Sequence, residues 1–79
     1  SKLTLVLAAF NKCAAQTGLN ISSITITPKE INITGDTSSR QNRQKVFDTV
    51  RDSGLDITGE SYRFEGGREY FTIRVMPKA

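Results

Sequence analysis

"ITGDTSSRQNRQKVFDTV", residues 33 to 50, decides how this chain is read. An apolar alternation ends at Gly35. Hydroxyl residues follow, then Arg40, Arg43 and Lys45, then Val46, Phe47 and Val50 at helical spacing. Three readings compete: a phosphate-binding loop, a basic nucleic-acid helix, or a strand that runs into a capped helix. A phosphate loop needs a longer glycine-rich turn closed by a lysine and a hydroxyl residue, so that backbone N–H groups surround the phosphates. "GDTSSR" has one glycine and no such lysine, and Asp36 would repel an anion at the loop itself. Ser38 with Gln41 fits a capping box, in which the hydroxyl accepts from a first-turn N–H and the amide reaches back. The stretch therefore predicts a strand end, a cap at Ser38, and a second helix from about Ser39 to Ser53 whose buried stripe is Val46, Phe47 and Val50. The helix start still offers free N–H groups to an anion. Ser38, Ser39, Arg40 and Arg43 are on that account a candidate anion or partner contact. The macrodipole works against cations in a first turn, so an acidic neighbour such as Asp36, or water, is expected to offset it.

Working outward, Leu3, Val6, Leu7, Phe10, Cys13, Ala14 and Thr17 recur at the three-and-four spacing of one helical face, with Leu5 and Ala9 off it. This predicts a first helix over residues 2 to 17, ended by Gly18 in the left-handed position and an apolar contact from Leu19. The pattern is already running at Leu3, which reads as a domain excised from a larger parent whose first helix continues upstream. "NISSITIT" and the alternation around Ile31 and Ile33 predict two strands joined at Pro28–Lys29. Ile57, Tyr62 and Phe64 predict a third strand, and Phe71, Ile73 and Val75 a fourth, with Gly66–Gly67 as a two-residue hairpin turn. "TGLNIS" (17 to 22) and "SGLDIT" (53 to 58) repeat the same transition from helix to hairpin. Helix, strand, strand, twice over, predicts a two-layer α+β sandwich: a four-stranded antiparallel sheet with both helices on one face, a ferredoxin-like layout with its ends permuted.

With 79 residues the chain is one small domain. It has no histidine and one cysteine, Cys13, which reads as a buried, inert thiol on the first helix. That inventory excludes Ser–His and Cys–His nucleophilic catalysis and a structural zinc site. No apolar run reaches the roughly 18 residues that a membrane span needs. The acidic residues are scattered over turns, solvated helix sides and outward strand positions, with no buried pair expected, so no catalytic residues, metal or cofactor are assigned and no enzyme is read. Net charge is +3, with acids interspersed among bases, which permits an anionic partner without demanding one.

If Phe71, Ile73 and Val75 face the helices, then Tyr70, Thr72 and Arg74 face outward, joined by Arg63 from the third strand; Tyr62 and Phe64 face inward. Arg63, Tyr70 and Arg74 are a second candidate contact, on the open face of the sheet. RNA-recognition modules of similar architecture stack bases on two or three aromatics there. One tyrosine without the accompanying glycine–aromatic spacing places nucleic acid behind a protein partner. Short hairpins also leave a sheet edge unpaired, and such an edge recruits other chains.

The doubled helix–strand–strand order and "TGLNISSITITPKEINITGDTSSRQNRQKVFDTVRDSGLDI" resemble the periplasmic domain of PilN- and GspL-type proteins, inner-membrane platforms of type IV pili and type II secretion. Ile31, Ile33, Gly35, Thr37, Ser38, Val46 and Val50 carry the likeness. The resemblance implies a parent with a cytoplasmic portion, one membrane span and a coiled coil ahead of Ser1. It implies a soluble scaffold domain at the periplasmic face of the inner membrane, pairing with itself or a related platform subunit as a homo- or heterodimer, without cofactor or catalysis. Cys13 and the basic start of the second helix depart from that pattern and leave the partner's identity open. The alternative reading is a ferredoxin-like module that binds an anion, a nucleotide or single-stranded nucleic acid through Arg40, Arg43, Arg63, Tyr70 and Arg74.

Overall fold

The computed structural model describes residues 2–78. The elements follow in the order α1 (Lys2–Thr17), β1 (Asn20–Ile26), β2 (Ile31–Thr37), α2 (Arg40–Asp52), β3 (Leu55–Glu65) and β4 (Arg68–Pro77). Every neighbouring pair of strands is antiparallel, and the sheet runs β1-β2-β4-β3. Moving the first strand of a βαββαβ ferredoxin-like chain to its C-terminus gives this element order and this strand order. The fold is thus the α+β sandwich that the doubled pattern predicts, with β2 and β4 central and β1 and β3 at the edges.

The inward residues of the central strands, Ile31, Ile33, Phe71, Ile73 and Val75, are buried in one core with Val46, Phe47 and Val50 of α2. From α1 the core takes Val6, Ala9, Phe10 and Cys13. This line is rotated from the expected stripe: Ala9 is buried, whereas Leu7, expected inward, is 46% exposed. A line of Val6, Ala9, Phe10 and Cys13 keeps the same three-and-four spacing and places a small side chain, instead of a second leucine, against the packed interior.

Both helices end at a glycine in the left-handed region. Gly18 and Gly54 take φ of 63° and 88°, and Leu19 N–H donates to Ala14 O over 3.3 Å, closing the first helix as a Schellman ending does. At the start of α2 the cap is Ser39, one residue later than expected; its Oγ accepts from Asn42 N–H at 3.0 Å. The shift follows from β2, which continues past Gly35 because Asp36 and Thr37 pair with Tyr70 and Glu69. Ser38 instead ties the two helices together: its N–H and Oγ both donate to Thr17 O, and Asn42 Nδ2 donates to its Oγ at 2.6 Å.

The sequence repeat is also a structural repeat. The register of β1 slips between Ile21 and Ser23, and that of β3 slips between Ile57 and Gly59, at matching places in the two halves. After its bulge β1 makes four paired positions with β2, while β3 makes seven with β4. The second hairpin is thus the longer one.

Candidate functional site

The extra rungs of the second hairpin carry an unusual set of side chains. Tyr62 and Phe64 lie on the helix-facing side of β3, as the alternation predicts, but they are 51% and 59% exposed. They escape burial because β3 is an edge strand and its last residues run on past the core. Under Tyr62 lies Arg43 of α2, its Cζ 3.7 Å from the tyrosine ring centroid and 5.0 Å from that of Phe47. Phe47 in turn meets Phe71 edge-on at 5.6 Å. Arg43 Nε donates to Glu69 Oε1 over 2.8 Å, with both side chains almost fully buried. The second carboxylate oxygen, Oε2, is buried without a hydrogen-bond partner among the described residues.

Three sequence expectations fail here. Arg43, grouped with a solvated basic first turn, is buried, and Glu69, placed among surface carboxylates, is 1% exposed. Asp36 is also buried and pairs with Arg68, not with the bases of α2; Arg68 reaches on to donate to Gly18 O. The signal was present in the spacing. Arg43 stands three residues before Val46, on the buried line of α2, and Glu69 stands two before Phe71, on the inward face of β4. A base and an acid at two inward positions are a pair that folding must bring together or leave uncompensated.

Of the first candidate group, Ser38 and Ser39 are engaged in the cap and the helix tie, and Arg40 is exposed beside them. The second group stands on the open face. Arg63 Cζ lies 5.1 Å from the Tyr70 ring and its Nε donates to Glu65 at 3.0 Å. Arg74 lies across Gly59, whose missing side chain leaves the space that the guanidinium occupies. Thr34 and Thr72 share a hydroxyl hydrogen bond at 3.3 Å between them. A shallow depression beside Tyr70, lined by Thr34, Ser61, Arg63 and Thr72, has a volume of about 250 Å³. Arg40 and Arg43 sit at α2 on one side of the sheet, and Arg63, Tyr70 and Arg74 on the other, so the five do not converge on one ligand.

Cys13 is buried, its Sγ donating to Ala9 O, and burial pushes its pKa up. Among the described residues no three His, Cys, Asp or Glu side chains are grouped to hold a metal ion, and no helix is long and apolar enough to cross a membrane.

No family model matches the sequence, and no curated protein matches it. Among solved structures the chain is similar to the periplasmic domain of XcpY, with a TM-score of 0.79 and 10% identity over 96% of this chain and 100% of that one. At that identity the likeness establishes the fold.

Proposed function

We propose that this chain is a non-catalytic protein–protein interaction domain of an inner-membrane platform serving type II secretion or type IV pilus assembly, working at the periplasmic face. One observation carries the reading: the end-to-end structural match to the periplasmic domain of XcpY, a GspL-type protein of type II secretion, reached from a sequence whose element order already resembled that family. Two features of the molecule support it. Polar side chains are spent on capping, helix tying and one buried ion pair, and the depression beside Tyr70 is shallow. The two most exposed large aromatic side chains, Tyr62 and Phe64, stand on an edge strand, the geometry by which a sheet takes up another chain.

The same arrangement weighs against the anion-binding alternative. One of its five residues, Arg43, is buried, and the others are split between two faces.

The test is made in the cell that carries the parent protein. Removing residues 1–79 from the parent is expected to abolish secretion or piliation while the remaining chain still reaches the membrane. Secretion and piliation that continue unchanged would contradict the proposal.

A further inference from the structure

Resting on the interaction reading, we infer that the open face of the sheet takes an acidic segment of a partner protein, with a carboxylate seated on Arg74. Strand register lines up the outward side chains in rows across β2, β4 and β3. Asn32, Arg74 and Gly59 make one row, and Thr34, Thr72 and Ser61 the next. Beyond them come Asp36, Tyr70 and Arg63. The middle row holds only small hydroxyl side chains, so the face dips there. The depression of about 250 Å³ beside Tyr70 adjoins a second of about 290 Å³, and the two share Ser61 and Thr72. Together they form a shallow trough with a guanidinium toward each end. Ligand sites for small molecules enclose most of the ligand's surface. A shallow trough suits instead a side chain presented by another protein.

The lining has donors to spare and few acids to meet them. A guanidinium can only donate. Arg74 makes no ion pair among the described residues. The acids around it are engaged elsewhere: Glu60 with Arg51, Glu30 with Thr58, Glu65 with Arg63 and Asp36 with Arg68. Thr34 and Thr72 share one hydroxyl hydrogen bond, which uses one of their two protons and leaves the other to an outside acceptor. Arg74 is also held in place. It lies across Gly59, where a Cβ would overlap its guanidinium, so the planar fork rests on the sheet before any partner arrives. A fork of donors beside a hydroxyl proton matches the two oxygens of a carboxylate. Tyr70 tells against a nucleic-acid base. Arg63 Cζ stands 5.1 Å from its ring centroid, over a face that a stacking base would need.

NMR titration of the 79-residue chain with a short peptide of alternating glutamate and alanine tests this. Shifts are expected at the amides of Asn32, Ser61 and Thr72 and at the Arg74 Nε–H, and not along α1 or α2. The same peptide with glutamine in place of glutamate is expected to leave them unmoved. Arg74→Gln is expected to weaken binding roughly three- to fivefold, as for an exposed ion pair. Gly59→Ala keeps every charge but lifts the guanidinium from its seat, and is expected to weaken binding by a similar factor. Equal shifts with the glutamine peptide, or unchanged binding by both variants, would overturn the proposal. So would shifts confined to the helices, or none at millimolar peptide. An oligothymidine of matching length that moves the same residues more strongly would replace the acidic protein by nucleic acid. The wider interaction reading would stand in each case, since the deletion test decides it separately.

Discussion

The two halves of this molecule begin from one plan and diverge at a definite place. Helix, glycine, bulged edge strand and central strand occur twice, with bulges at matching positions. The buried line of α1 is Val6, Ala9, Phe10, Cys13; that of α2, at the same spacing, is Arg43, Val46, Phe47, Val50. The line of α1 is apolar throughout, whereas that of α2 begins with an arginine, and that arginine meets Glu69, which lies on rungs that the shorter first hairpin lacks. Ile26 and Tyr62 correspond in the repeat and both are about half exposed, but Tyr62 brings a ring with a cation beneath it. The first helix gives the core an apolar line, Val6, Ala9, Phe10 and Cys13. The second half adds a longer edge and a buried ion pair that holds an exposed aromatic in place. Within a repeated design, the departures from symmetry mark what the common fold does not itself require.

Breaking the ion pair separates the halves most sharply. Arg43→Ala leaves the Glu69 carboxylate buried without a counterion and is expected to cost about 3–5 kcal/mol in urea unfolding. On the buried line of α1, Val6→Ala only trims an apolar side chain and is expected to cost less, about 1–3 kcal/mol. Replacing Arg43 and Glu69 together by methionine and leucine is expected to return stability to near the parent value. If the single and double changes cost the same, the pair is not what distinguishes the second half.

The helix ends sharpen the comparison at a smaller scale. Gly18→Ala and Gly54→Ala both force a side chain into positive φ, at about 1–2 kcal/mol. A Cβ at Gly18 would also meet the Ser38 Cβ at 3.3 Å, whereas the space at Gly54 is open, so the first change is expected to cost more. Ser39→Ala removes the α2 cap and is expected to cost about 1 kcal/mol, read as a fall in Tm.

The smallest effect concerns Cys13. Burial raises its pKa, so the folded chain favours the thiol over the thiolate. That contribution to stability is fully present below the unfolded thiol pKa of about 8.5 and is lost as pH rises through the folded value. Thiol-reactive dye at pH 8 is expected to label the native chain far more slowly than the urea-unfolded one. Equal rates would show that α1 does not shield it.

Much of this was legible in residues 33 to 50 and in the repeat. The apolar alternation ending at Gly35, the glycines after each helix and the Gly66–Gly67 turn fixed element order, and with it the layers. Arg63, Tyr70 and Arg74 were placed on the open face by strand alternation alone. What composition and local pattern did not reveal was depth. Charge suggests solvent, and only tertiary pairing overrides that suggestion, as at Arg43, Glu69 and Asp36. Aromatics suggest a core, and only the overhang of an edge strand leaves Tyr62 and Phe64 half exposed. The cap fell on Ser39 instead of Ser38 because the length of β2 is set by its partner β4, which lies more than thirty residues away.

Amide hydrogen exchange, followed residue by residue, tests most directly the claim that β3 overhangs the core as an open edge anchored by the Arg43–Glu69 pair. The two-residue Gly66–Gly67 turn makes Glu65 and Arg68 a hydrogen-bonded pair, so the N–H groups of Glu60, Tyr62 and Phe64 point away from β4 while those of Ser61 and Arg63 donate to it. The first three are predicted to exchange fast and the other two slowly. Slow exchange at Glu60, Tyr62 and Phe64, or fast exchange at Ser61 and Arg63, would contradict the account.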